Sequence, residues 1–278
     1  MAAHNRPYSS LVMSRPQATF ARPRLPGTVG EVCGRTTSTT PTDRSVRLLD
    51  VDEVDTPELP IRWNVTPTQA VYALIGDRRG ARALSARRWG LVPHWSSGPR
   101  TGSRLINARG ETAAQRPTFR EAVRQRRTAP VFDGFYEWRR PGPAENGQAQ
   151  PFYFYPADGQ PLVLAGLWDA WYDVRHRPLR TCAIVTTTAN ATMAPVHHRM
   201  PVVLPRETWD DRLGQGALNP SRLDEFFQPA PEGVLRCHQV GAAVTGARGD
   251  GPDLVTPRTL TPETDSAITG TLAPSTTQ

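Results

Sequence analysis

Val131-Phe132-Asp133-Gly134-Phe135-Tyr136-Glu137-Trp138 is the stretch on which the fold turns. Apart from Asp133, Gly134 and Glu137 it consists of aromatic residues and a valine, side chains that fit a pleated, half-buried surface. Pro130 bounds it on one side and Pro141-Gly142 on the other, so the stretch predicts a strand. Outward from it, Phe152 to Tyr155 and Leu162 to Trp168 flank the segment from Pro156 to Pro161, where Asp158-Gly159 signals a hairpin turn. Thr181 to Thr187 and Pro201 to Leu204 predict further strands. Helical signals are fewer and shorter. Phe119, Ala122 and Val123 share one face of a segment opened by Pro117. Ser221, with Asp224 three residues on, resembles a capping box before Phe226-Phe227. There is no internal repeat and no regular alternation of strand and helix. The expectation is an α+β fold: a β-rich single domain with curved, mainly antiparallel sheets and a few short helices.

Composition narrows the chemistry. The 278 residues are 38% hydrophobic, and no run approaches the ~18 apolar residues of a membrane helix. All 33 basic residues are arginine. Lysine is the usual amine of Schiff-base chemistry, so here an imine can form only on the chain's own α-amine. The net charge of +7 includes +3 from residues 1–31, where Arg6, Arg15, Arg22 and Arg24 face Glu31 alone. The remaining +4 permits an anionic partner without demanding one. Cys33, Cys182 and Cys237 form no CxxC, which fits a reducing cytoplasm. Cys182, in an apolar run, reads as a small buried hydrophobe. No metal or other cofactor is expected: only six histidines exist, and His197-His198 lacks the spacing of a helical zinc pair.

The ends differ from the middle. Residues 1–32 carry prolines, arginines and small polar residues without periodicity, and read as an untranslated or removed extension, a disordered tail or a targeting segment. Residues 258–278 read as a disordered tail, which leaves 33–257 as the domain. The boundary falls within Val32-Cys33-Gly34-Arg35. With Val32 as an initiator that is then removed, Cys33 acquires a free α-amine beside its thiol. Such a 1,2-aminothiol is a strong nucleophile as the thiolate. It can also close on an aldehyde to a five-membered thiazolidine.

Four further stretches are candidates for chemistry, each with an ordinary alternative. Trp63 to Pro67 places Asn64 before a rigid turn, and Ile106 to Arg109 follows Trp89 to Trp95 across a Gly- and Ser-containing loop. Glu137 is either the solvent-facing member of an alternating strand or a carboxyl desolvated among aromatics, with a raised pKa suited to proton transfer. His197 is a loop histidine or a proton carrier, and Asn107 a turn residue or a site amide. Arg109 and Arg199 are solvated, paired with acids, or bidentate phosphate ligands. The tryptophans are core by default, although an exposed one can stack a base.

Taken in order, Cys33-Gly34-Arg35, Asn64 to Pro67, Trp89 to Pro93, Ile106 to Glu111, Gly134 to Trp138 and His197 to Pro201 resemble the SOS-response-associated peptidase (SRAP) family. The segment from Asp250 to Pro257 looks like that family's closing segment, so the resemblance covers about 33–257. It implies a protein that binds single-stranded DNA at abasic sites and links to the open-chain sugar aldehyde through an N-terminal cysteine. By this resemblance the catalytic residues are Cys33, Asn107, Glu137 and His197. Cys33 supplies amine and thiol, Asn107 orients cysteine and sugar, Glu137 moves protons, and His197 assists ring opening. The DNA-binding residues implied are Arg35, Asn64, Pro67, Trp95, Arg109 and Arg199. Lyase activity and self-processing before Cys33 are implied as branches, as are a monomeric state and a bacterial cytoplasmic, nucleoid-associated location. Two departures stand out. Cys33 is internal in the sequence, and Ser96 follows Trp95 where some relatives carry a second aromatic. The alternatives are an N-terminal-nucleophile cysteine peptidase or amidohydrolase, and a non-catalytic single-strand binder.

Overall fold

A computed structural model describes residues 33–76, 80–142, 147–213 and 222–258. The expected extension over 1–32, the Ser221 capping box and all of the expected tail 258–278 but its first residue lie outside the described residues; Arg258 itself is held to Gln239 and Gln150. In chain order the strands begin with β1 (Arg35–Ser38), β2 (Glu53–Asp55), β3 (Arg62–Val65), β4 (Ala70–Gly76) and β5 (Arg82–Trp89). Then come β6 (Asn107–Arg109), β7 (Arg127–Phe132), β8 (Gly134–Arg139), β9 (Gln150–Pro156) and β10 (Leu162–Val163). The last are β11 (Gly166–Tyr172), β12 (Pro178–Thr188), β13 (Arg199–Pro201) and β14 (Leu235–Gln239). The helices are short: α1 (Thr42–Leu49), α2 (Gly110–Ala113), α3 (Arg120–Gln125), α4 (Trp209–Leu213) and α5 (Leu223–Phe226). The β-rich α+β architecture read from the sequence is the one observed.

β4, β5, β7, β11 and β12 close into a ring, because β12 pairs with both β11 and β5. Five strands cannot alternate direction all the way round, so one parallel contact is obligatory, and it is β5–β12. β2–β5 and β6–β12 are parallel as well, and the remaining pairings are antiparallel. A second sheet runs β14-β9-β8-β1-β3. Val65, Phe135, Phe154 and Leu235 of that sheet share one apolar cluster with Val71, Trp89, Cys182 and Ile184 of the barrel. The barrel's own core gathers Leu74, Leu84, Leu167, Ala183 and Val185, closed by Phe119, Ala122 and Val123 at α3 as their spacing predicts. Among the described residues no helix is long and apolar enough to cross a membrane.

Three local expectations are corrected. The run Val131–Trp138 is two strands: β7 belongs to the barrel and β8 to the second sheet, with Asp133 between them. The Asp133 carboxylate accepts the Thr40 N–H at 2.9 Å and the Thr39 hydroxyl at 3.0 Å, as well as the Thr39 N–H and Thr40 hydroxyl, and so pins the crossing. Gly134 follows because an added Cβ would lie 2.4 Å from the Tyr153 hydroxyl. The Asp158-Gly159 turn exists, with Gly159 at φ 69°, yet it makes no hairpin. β9 pairs with β8 and β14, whereas β10 pairs with β7, so this turn also passes between sheets. The strand expected over Pro201–Leu204 begins earlier, as β13, and Val203 contributes only an isolated bridge to Leu164.

Asp133→Ala is expected to lower unfolding free energy by about 2–3 kcal/mol, since hydrogen bonds to a charged group are worth about 1.5–3 kcal/mol and the freed N–H groups stay half-buried. Urea unfolding checks this, and a loss below about 0.5 kcal/mol would mean that the crossing is held by Gly134 packing alone.

Candidate functional site

Antiparallel pairing sets Arg35 opposite Tyr136 and Thr36 opposite Phe135, which brings the residues just before β1 alongside Glu137 and Trp138. The Cys33 backbone N–H donates to Glu137 Oε2 at 2.9 Å, and Oε1 accepts the Trp138 N–H at 3.0 Å. Glu137 is only 5% exposed. It shares its strand face with Phe135, which lies in the same apolar cluster as Cys33. The alternative that turns Glu137 to solvent is therefore not what the structure has. Tyr136 faces the other way into a cluster with Tyr153, Val244 and Leu254, so the sheet is covered on both sides and alternation marks no wet face.

Burial pushes the Glu137 carboxyl up to about 7, against the lowering effect of its two backbone hydrogen bonds and the charge of Arg140. The same burial, with the Glu137 charge added, pushes the Cys33 thiol well up. Burial thus favours the neutral thiol, with nothing cationic to offset its desolvation.

Asn107 opens β6, which runs parallel to β12 with Asn107 opposite Ile184. Ile106 before it, and Met193 and Met200 on either side of His197, belong to the Cys33 cluster. Through that cluster the elements carrying Asn107 and His197 pack around Cys33. His197 is half-buried, its ring 4.4 Å from that of His198. Its Nδ1 lies 3.1 Å from Arg199 N and 3.3 Å from Arg199 O. The shorter contact has the N–H aimed at the ring, so Nδ1 accepts and the proton of the neutral tautomer sits on Nε2. Burial holds His197 below the ordinary imidazole range, helped by the charges of His198, Arg140 and Arg199. Arg140, exposed at the end of β8, thus acts on both Glu137 and His197.

The arginines divide. Arg109 is exposed and has no ion-pair partner among the described residues. Arg199 is buried and bidentate to Glu111, at 3.0 and 2.9 Å, while its Nε and one terminal nitrogen also reach Thr186. This guanidinium with a carboxylate across its fork ties α2 to β12 and β13.

Arg35 donates to the carbonyls of Val244 and Thr245 and to Asn64 Oδ1, and Asn64 Nδ2 donates to the carbonyls of Gly246 and Gly249. These two residues clamp the 244–249 segment, and burial lowers the Arg35 pKa. Pro67 is half-buried in the β3–β4 turn, whereas Trp95 stands 61% exposed.

Sequence reasoning missed Asp169 and Trp171. Asp169, 5% exposed on β11, accepts the His94 N–H at 3.0 Å and lies 3.1 Å from His94 Nδ1. Trp171 Nε1 donates to the Ser96 carbonyl at 2.7 Å. The available signal was an acid among aromatics, Trp168-Asp169-Ala170-Trp171, the same pattern that drew attention to Glu137. No cluster of three or more metal-ligating side chains occurs among the described residues.

A family model described as SOS response associated peptidase (SRAP) matches residues 32–247. The abasic site processing protein YoqW of Bacillus subtilis is 31% identical over 225 residues, which span 81% of this chain and 99% of that one. YedK of Escherichia coli, also an abasic site processing protein, is 30% identical over 232 residues, covering 81% and 100%. A solved structure from Bacteroides thetaiotaomicron superposes with a TM-score of 0.67 at 19% identity, over 82% of this chain and 100% of that one; the likeness is one of fold.

Proposed function

The chain belongs to the SOS response associated peptidase (SRAP) family, and on that premise we propose that it processes abasic sites in single-stranded DNA by covalent capture. The observation that carries this reading is the Cys33 nitrogen held 2.9 Å from a carboxyl whose pKa is about 7. In a form that begins at Cys33, that nitrogen is an α-amine of ordinary pKa ~7.7–8.0, close enough to Glu137 for ready proton exchange. The amine adds to the open-chain aldehyde and water leaves, giving an imine. The thiol then adds across the C=N bond: sulfur bonds to carbon, its proton passes to nitrogen, and the thiazolidine closes. Sulfur attack within the same residue benefits from proximity, so a neutral thiol suffices once the imine exists. Elimination of the 3′ phosphate from the imine is the lyase branch.

The backbone at Cys33 supports this start. Its φ is 59°, a left-handed value that costs a non-glycine residue roughly 1–2 kcal/mol. A first residue has no φ and is free of that constraint. The peptidase alternative asks for a thiolate, which burial opposes.

The test is a denaturing gel of the Cys33-initiated chain with single strands that carry or lack an abasic site. A retarded band with the lesion alone supports capture, and peptide turnover without any DNA dependence would replace the proposal with the peptidase reading. The arginines give a second check. Arg109→Ala is expected to lower the log–log salt slope of single-strand binding by about 0.7, the value of one phosphate contact. Arg199→Ala is expected to leave that slope unchanged and to cost about 2–3 kcal/mol in unfolding free energy, because Thr186 and Glu111 lose their partner. A slope change in Arg199→Ala would return it to the DNA surface.

A further inference from the structure

β12 ends at Thr188 and β13 begins at Arg199, and the loop between them closes on itself where the Ala189 N–H donates to the His198 carbonyl at 3.1 Å. Every backbone N–H from Ala189 to His197 is engaged, Pro195 having none to offer. The His197 N–H donates to the Met193 carbonyl at 3.0 Å, and the Met193 N–H in turn to Asn190 Oδ1 at 3.0 Å. Met193 and Met200, both fully buried, root the loop in the cluster that holds Cys33. His197 thus hangs at the end of a short chain of hydrogen bonds that starts at Asn190.

The start of that chain is held from outside the loop. Glu232, on the segment between α5 and β14, accepts the Ala191 N–H at 2.7 Å through Oε1. Its Oε2 accepts the Thr192 hydroxyl at 2.9 Å and the Thr192 N–H at 3.3 Å. Asn190 Nδ2 donates to the Ala230 carbonyl at 3.0 Å, two residues before Glu232. Residues 230–232 therefore grip 190–192, three consecutive positions at the head of the loop. Hydrogen bonds to a carboxylate are roughly twice as strong as neutral ones. Glu232 is itself exposed and makes no ion pair among the described residues, so its carboxylate is turned wholly to the loop.

We propose that Glu232, with Asn190, is a positioning residue for His197: it fixes the head of the loop so that the imidazole is presented to the reacting sugar at one depth and in one tautomer. This rests on the capture reading, in which His197 carries protons, but the placement of the ring can be measured without DNA.

The ring is read by NMR titration of the full chain. The charged groups about it are His198, Arg140 and Arg199, the last paired with Glu111. Burial keeps His197 below the ordinary imidazole range, so Glu232→Ala, by loosening the loop and wetting the ring, is expected to move its titration up toward that range. Loss of the Glu232 charge alone would move it the other way. Glu232→Gln, whose amide oxygen can still accept the Ala191 N–H, is expected to leave the titration in place.

Rates are read on the Cys33-initiated chain at saturating abasic strand. There Glu232→Ala is expected to slow adduct formation roughly tenfold, less than the ~10²–10⁴ of losing a general acid–base, with affinity for an aldehyde-free abasic analogue within about threefold. Glu232→Gln should restore most of the rate. On a His197→Ala background the alanine substitution at 232 should change the rate less than about twofold, because residues that act through one group are not additive. A tenfold loss that persists without His197, or a His197 titration that Glu232→Ala leaves unmoved, would overturn the positioning role. Equal losses in the alanine and glutamine variants would also overturn it, since the charge and not the hydrogen bonds would then be responsible. If the wild type forms no adduct while the titration shifts as stated, the capture reading fails and the placement of the ring stands.

Discussion

A chain beginning at Cys33 will form an adduct with an abasic single strand that survives denaturation, and Cys33→Ser will abolish it. The effect is close to all or none, because two bonds from one residue make the product. The amine alone gives an imine, which water reverses, whereas sulfur closure removes the C=N bond that water would attack. With no lysine in the chain, no second side-chain amine can substitute. Cys33→Ser retains the α-amine, so its imine should be trapped by borohydride and lost without it. The same protein with residues 1–32 verified by mass to be attached should form no adduct, since an amide nitrogen makes no imine. A denaturation-stable adduct from that longer form would end the proposal.

Glu137→Gln is expected to separate chemistry from stability, with opposite signs. General acid–base help is worth ~10²–10⁴-fold, so adduct formation at saturating DNA should slow by that order while affinity for an aldehyde-free abasic analogue stays within about threefold. The wild-type rate should rise with pH as the carboxylate forms, levelling off near pH 7 or below, because an ammonium at Cys33 would pull Glu137 down from about 7.

Stability runs the other way. In the chain that retains residues 1–32, where the Cys33 nitrogen is an amide, the folded value of about 7 exceeds the ordinary 4.5, so the folded state holds its proton longer and stability falls as pH rises from about 4.5 through 7. The loss amounts to ~3 kcal/mol between pH 4 and pH 9. The glutamine variant should lack this slope. Urea unfolding at the two pH values reads it directly, and equal slopes in both proteins would show that Glu137 is not desolvated as described.

Much of this was legible in the sequence where local pattern and tertiary role coincide. Phe119, capping α3, and Ala122 and Val123 within it share one face because helical spacing alone decides that face. Glu137 could be recognised as a candidate, but not as buried, since alternation distinguishes faces only when one is wet. Here the 242–255 segment covers the second face, and no local signal in β8 announces a cover from so far along the chain. Val131–Trp138 read as one strand because β-propensity ignores sheet membership, and Asp133, whose partners are Thr39 and Thr40, looked like a mere interruption. Motif alone cannot show that Arg35, Asn64 and Arg199 hold carbonyls and a carboxylate brought in by the fold, because those partners lie far along the chain.

The single parallel contact of the barrel has a consequence for how the chain reaches its native state. β4 with β5, and β11 with β12, are joined by short connections and can pair early. The β5–β12 contact sets Arg88 against Thr181 and Trp89 against Cys182, so its loop must close before any contact energy is returned. Until that happens the unclosed edges of β5 and β12 are templates for a neighbouring chain. Protection from aggregation thus arrives only with the most non-local pairing in the ring, and crowded synthesis of this protein is hazardous for as long as that closure is delayed.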